Sequence, residues 1–363
     1  MMRKIAILII LVSLVFSACG DDKEPAKVDN VKIAVTLPTG IEIGQDMKNA
    51  AQMALDEANG KAGDIQVELL FFETTDDSGN PFSAEKEREA ATKAISDSQV
   101  VVYIGASTSS EAREVIPLLN KADIAVLSPA ATAPGLTKPG YGAGEPGKYY
   151  PTGRHSFFRL VTSDEGQGST AARWAKELGY TKIYLIDDTS DYGIGLTGIF
   201  EVTARDLDLT VLAHDHFNPD NETPETYAET ARHIVDAQPD LVYIGAYASY
   251  GGIELIQALR TANPDIQIMG GDGLTEQDIA DASGSPLNNI YATSATLPGS
   301  GLETQAGISF VDKYQSTYSK PPNPYVITTY EAVKVALYAI EHAESPTRRG
   351  VLDKLADLGD FSG

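Results

Sequence analysis

The sequence holds one cysteine, Cys19, so no internal disulfide can staple the fold. Basic residues are scarce: 28 lysines and arginines stand against 51 acids, and the formal charge of −23 excludes a nucleic-acid partner, whose phosphates need cationic surface. No long apolar run follows residue 16, so no later segment reads as a membrane-spanning helix. No short-period repeat occurs. No G-x-S-x-G elbow surrounds a serine, and His155, His214, His216, His233 and His342 follow no triad order, which leaves a hydrolase without its usual marks. His214 and His216 stand two apart, on one face if they lie in a strand, but no cysteine or third histidine is near; no metal or other cofactor is expected. The one G-x-G-x-x-G match, Gly193 to Gly198, is separated from its strand by Asp187-Asp-Thr-Ser-Asp-Tyr192, with acids where a pyrophosphate would sit.

What is present centres on residues 100–137. Five apolar residues, Val100 to Ile104, read as a buried strand, Gly105-Ala-Ser-Thr-Ser-Ser110 as a turn, and 111–120 as a helix. A second buried strand, 124–127, ends in Ser128-Pro-Ala-Ala-Thr132. Two strands ending in hydroxyl-bearing loops offer a site for a small anion, because ligands of open parallel sheets bind beyond the carboxyl ends of the strands. The amides around Ser109 and Ser110, with hydroxyls from Ser109 and Thr132, suit a carboxylate without any cationic side chain; the same serines equally serve as helix caps. Val102-Tyr-Ile-Gly-Ala106 recurs as Val242-Tyr-Ile-Gly-Ala246, followed by Tyr247-Ala-Ser-Tyr250, which points to two similar halves facing each other.

Residues 1–19 read as a signal segment: Arg3 and Lys4 precede an apolar run, 5–16, too short to span a bilayer, and Ser17-Ala18 lead into Cys19. Cys19 is placed as in a bacterial lipobox, where the sulfur carries lipid, and residues 20–30 then form a polar tether. From residue 31 strands and helices alternate, as in parallel sheets flanked by helices. Strands are expected at 31–37, 65–72, 100–104, 124–127, 156–160, 183–186, 209–213, 241–245, 266–269 and 290–296. Helices are expected at 46–59, 111–120, 167–178, from about 195, at 227–237, 302–319 and 325–344. Residues 138–153, rich in glycine and proline, are irregular.

With these residues in hand, the chain resembles the substrate-binding proteins of bacterial ABC importers for branched-chain amino acids. The marks are Leu37-Pro-Thr-Gly40, Met53-Ala-Leu-Asp-Glu-Ala-Asn59, Asp76-Asp77 with Pro81, Gly105 with Ser107 to Ser110, and Ser128-Pro-Ala-Ala-Thr132. Further marks are Gln167-Gly168, Asp191-Tyr-Gly-Ile-Gly195, Gly270-Gly-Asp-Gly273 and Tyr330-Glu-Ala332. The resemblance implies an α/β type I periplasmic binding protein fold, two doubly wound parallel-sheet lobes joined by crossing strands. The first lobe would be 31–159 plus 293–358, the second 160–292 plus 359–363, with closing strands missing at the C-terminus. It further implies a carboxylate grip at Ser109 and Thr132, and an ammonium grip at the Ala130 carbonyl, Thr132 and Asp272. Tyr192 and Tyr247 would close from the far lobe, and Ile43, Ser107, Thr108 and Tyr325 would line the side-chain pocket. Two hydroxyls there favour a small or polar amino acid, or an amide, over leucine. The implied protein is a non-enzymatic, monomeric receptor, held by lipid on Cys19 at the outer face of the cytoplasmic membrane, that passes its small-molecule ligand to importer permease subunits. A sensor of amides and a secreted hydrolase are the alternatives.

Overall fold

The computed structural model describes residues 28–275, 279 and 289–358. Cys19 and residues 359–363, on which the lipidation and closing-strand expectations fall, lie outside them. The strands are β1 (Asn30–Leu37), β2 (Lys61–Ala62), β3 (Ile65–Glu73), β4 (Val100–Ile104), β5 (Ala125–Ser128), β6 (Phe157–Arg159), β7 (Lys182–Asp187), β8 (Thr210–His216), β9 (Leu241–Gly245), β10 (Ile268–Gly270) and β11 (Ile290–Ala292). The helices are α1 (Glu42–Glu57), α2 (Ala84–Ser96), α3 (Ser109–Lys121), α4 (Asp164–Glu177), α5 (Asp191–Asp206), α6 (Pro224–Asp236), α7 (Gly252–Ala262), α8 (Gln305–Tyr318), α9 (Pro324–His342) and α10 (Arg348–Ala356).

They form two sheets. The first runs β2-β3-β1-β4-β5-β6, parallel except for the short hairpin strand β2, and the second runs β11-β10-β9-β7-β8, parallel throughout. Counted within each sheet, the five parallel strands lie in the order second, first, third, fourth, fifth, a doubly wound arrangement whose winding reverses between the first and third strands. The repeated Val-Tyr-Ile-Gly-Ala segments occupy the same place in the two sheets: their Val-Tyr-Ile parts close β4 and lie within β9, both third strands, buried along their length. After β11 the chain returns to the first sheet. Phe310 and Tyr314 of α8, Val326, Val333 and Ile340 of α9, and Val351 of α10 are buried in one core with Ile33, Val35 and Leu37 of β1.

Three helices, α2, α7 and α10, have no counterpart in the sequence reading. Helix α2 reads Ala-Glu-Lys-Glu-Arg-Glu-Ala-Ala-Thr-Lys-Ala-Ile-Ser and buries only Glu87, Ala90, Ala91 and Ala94, a stripe too narrow and too weakly apolar to register as a period. Helix α5 begins four residues earlier than the glycine pattern suggests, because the Ser190 hydroxyl accepts from Gly193 N and caps it there. Gly193 to Gly198 is therefore helix interior, and Gly193 lies where an added Cβ would meet the Gly245 carbonyl at 2.4 Å. The 156–160 segment forms β6, the edge of the first sheet, from which the chain crosses to α4 and the second.

Candidate functional site

The loops at the carboxyl ends of both sheets meet around one small cavity of about 30 Å³. Its lining comprises Pro38, Ile43 and Met47 from the β1–α1 region, Phe82 ahead of α2, Ser107 after β4, and Ala130 and Thr132 after β5. The second sheet contributes Tyr192 from α5, Tyr247 after β9, and Asp272 with Gly273 after β10; Tyr325 projects from the start of α9. Eight of the ten residues singled out for binding in the sequence are therefore brought together.

Two are placed elsewhere. Thr108 turns away from the cavity: its hydroxyl accepts from Glu111 N at 3.2 Å and donates to Glu111 Oε2 at 2.9 Å, while Thr108 N donates to the same oxygen. This capping box holds α3, and its Thr-x-x-Glu signature stands in the sequence. Ser109 is buried behind the lining, where its Oγ accepts from Ala133 N at 3.0 Å and fixes the 130s loop. Of the three consecutive hydroxyl residues, Ser107 is the one that lines the cavity, and its Oγ is buried with no hydrogen-bond partner among the described residues.

The 130s loop is tied down from several sides. Ser128 Oγ donates to the Ala106 carbonyl at 2.8 Å and accepts from Ala131 N at 2.9 Å, joining the loops after β4 and β5. Arg159 donates to the carbonyls of Thr132 and Ala133, at 2.8 and 2.9 Å, and to the Thr137 hydroxyl. These bonds hold the backbone of the loop that carries Ala130 and Thr132.

Asp272 is the charged centre. Its Oδ1 accepts from Gln167 Nε2 at 2.7 Å and from the Tyr192 hydroxyl at 2.9 Å, and its Oδ2 accepts from the Tyr325 hydroxyl. Tyr192 also accepts from Gly273 N at 2.9 Å, so its ring is held at both partners. All three donors to Asp272 are neutral. Burial accordingly pushes the Asp272 carboxyl above the usual carboxylate range, against the lowering effect of Tyr325, Gln167 and Tyr192. A second buried acid, Asp164, leads α4; Gln167 Nε2 reaches its Oδ1 at 3.2 Å, and its Oδ2 has no hydrogen-bond partner among the described residues. Burial, then the proximity of Asp272, pushes Asp164 well above its ordinary value. Gln167 belongs to a quoted motif, yet its bridging role depends on contacts spanning 105 residues and leaves no local trace.

Across the cleft the halves are latched. Arg113 of α3 pairs with Asp191 of α5, and Asp191 N donates to Ser110 Oγ at 3.2 Å. Phe82 packs on Tyr247 with centroids 4.8 Å apart, Tyr247 stacks on Tyr192 at the same separation, and Asn80 Nδ2 donates to the Tyr250 hydroxyl at 3.1 Å.

A family profile described as periplasmic binding protein matches residues 33–363. The chain belongs to the periplasmic binding protein family. Among its relatives, the Leu/Ile/Val-binding protein of Rhizobium johnstonii is 27% identical over 307 residues, covering 83% of this chain and 76% of that protein. The leucine-, isoleucine-, valine-, threonine- and alanine-binding protein of Pseudomonas aeruginosa is 25% identical, over 92% of this chain and 88% of that one. Among solved structures, a leucine-binding protein of Thermotoga maritima superposes with a TM-score of 0.76 at 24% identity, over 90% and 87% of the respective chains. These relatives are binding proteins, and the two-lobed α/β architecture is that of type I periplasmic binding proteins. No helix among the described residues is long and apolar enough to cross a membrane.

Proposed function

We propose that the protein is the receptor of an ABC importer and binds a branched-chain or similarly sized aliphatic α-amino acid in the cleft. The observation that carries this reading is the polarity of the cavity. Among the described residues, a buried acid served by three neutral donors, Asp272, shares one enclosure with an unpartnered hydroxyl, Ser107, near the start of α3. An ammonium gives Asp272 a positive partner, which it does not have among the described residues, and a carboxylate takes Ser107 and the helix-start amides. Ala130 and Thr132 bind between the two.

Pro38, Ile43, Met47 and Phe82 make the remaining wall apolar, which fits an aliphatic side chain. This revises the preference for polar ligands drawn from the sequence. That preference counted Thr108 as a pocket hydroxyl, and Thr108 is occupied by its capping box. The aliphatic amino acids named for both curated relatives support the same class. The receptor works outside the cytoplasmic membrane as a monomer, anchored through lipid on Cys19, with permease subunits as its downstream partners.

A competition titration tests the ligand class. Leucine, isoleucine or valine should bind at least tenfold more tightly than glutamine, serine or acetamide, and Ser107→Ala should weaken binding about tenfold. Tighter binding of the amides would sink the aliphatic reading.

A further inference from the structure

A second polar constellation lies on the other strands of the second sheet. Strands β7 and β8 pair in parallel with Leu185 opposite His214 and Asp187 opposite His216, so these residues share one face of the sheet. Asp215 falls on the opposite face, where Tyr184 bonds it. The register thus supplies the third group that the sequence around His214 and His216 lacks.

We propose that Asp187, His214 and His216 form a binding site for a zinc-class divalent cation. One ligand atom from each residue, a ring nitrogen of either histidine and a carboxylate oxygen of Asp187, lies within 4.8 Å of the others. His214 Nε2 and His216 Nδ1 stand 2.9 and 2.8 Å from the same oxygen, Asp187 Oδ2. The far side of two of these groups is already engaged. His214 Nδ1 contacts Glu201 Oε2 of α5 at 3.0 Å, and Asp187 Oδ1 accepts from Thr189 N at 3.0 Å. A carboxylate behind a ligating histidine is the outer-shell arrangement that fixes ring orientation and raises ligand basicity.

The donor set decides the chemistry. Two imidazoles and one carboxylate suit zinc, cobalt or nickel and are poor for calcium or magnesium, which take mainly oxygen. Asp187 is fully buried whereas the His216 side chain is 54% exposed, so the site is rooted in the sheet and open to water on one side. Asp187 also begins the turn that ends in Ser190, the cap of α5, and the next residue, Asp188, accepts from Tyr247 N at 3.3 Å. A cation here would brace the turn leading to Tyr192.

The test uses the full, tag-free chain dialysed against a chelator and then titrated with zinc chloride or cobalt chloride alone. One equivalent of zinc should bind, and cobalt should develop the visible bands of a low-coordinate ion. His216→Ala, at an exposed position, should weaken zinc binding at least tenfold while its circular dichroism and melting match the parent's. Glu201→Gln should weaken it about 10–100-fold without removing a ligand. Absence of saturable binding, or equal zinc affinity in the parent and in His216→Ala, overturns the site and leaves the three residues as a hydrogen-bonded cluster.

Discussion

Replacing Glu87 by glutamine should make the protein more resistant to unfolding at neutral pH, where ionising this buried carboxyl costs stability. Glu87, on α2, is fully buried beneath β1 and β4, where its Oε1 accepts from the Tyr103 hydroxyl at 2.8 Å and the Thr36 hydroxyl at 3.0 Å. Among the described residues its Oε2 has no hydrogen-bond partner, and neither has Oε1 of the buried Glu111. Burial, only partly opposed by the Tyr103 and Thr36 bonds, pushes the carboxyl up from 4.5 to about 7. The folded state therefore holds a proton that the unfolded chain has released. The stabilisation is complete below about pH 4.5 and is lost as pH rises through about 7. At about 1.4 kcal/mol for each factor of ten in proton affinity, the loss is about 3 kcal/mol.

The amide that replaces the acid keeps an acceptor for Tyr103 and Thr36, sets a donor where Oε2 stands, and does not titrate. Thermal unfolding of parent and variant across the acid-to-neutral range reads the difference. The two should melt alike near about pH 4.5, and the variant should melt roughly 5 °C higher near about pH 8. Parallel profiles throughout would refute the assignment of this pH dependence to Glu87.

Asp272→Asn keeps the size of the acid and removes its charge; calorimetry should show branched-chain amino acid binding weakened by about 2–5 kcal/mol. Tyr192→Phe deletes a donor to Asp272 and the acceptor of Gly273 N, for an expected loss of about 1–2 kcal/mol in the same titration. Gly105→Ala would set a Cβ 1.9 Å from Thr36 Oγ1 at a backbone φ of +148°, and urea unfolding should register a loss of at least about 2 kcal/mol. Ligand should shift the solution ensemble toward the compact form, because only closure joins Ser107 and Thr132 to Asp272; an unchanged scattering curve with bound ligand would count against this.

Much of the architecture is written locally. Buried parallel strands are continuous apolar runs, which is why β4, β9 and their shared segment stand out, and each loop after such a strand announces a place where a ligand can sit. Asp272, Ala130 and Thr132 follow from that rule together with the resemblance. What escaped has a common physical cause. Ser107, Thr108 and Ser109 are consecutive small hydroxyl residues, and which one faces the cleft depends on where the capping box and the 130s loop pull the others. Phe82, Met47, Asp164 and Gln167 reach the site or its acids through tertiary packing. Helix α2, whose charges hide its alanine stripe, brings Glu87 beneath β1 and β4.

The Arg113–Asp191 latch makes affinity a property of the joint as well as of the pocket. Neither residue lines the cavity, yet both belong to the form in which the two halves meet. If closure is an equilibrium, the measured dissociation constant is the intrinsic one divided by the fraction of molecules able to close, so a change in the latch rescales affinity for every ligand by one factor and leaves their ranking intact. Selectivity can then be tuned by the pocket walls and sensitivity by a part-buried charge pair outside them. The two traits are free to evolve separately, and salt should move the second while sparing the first.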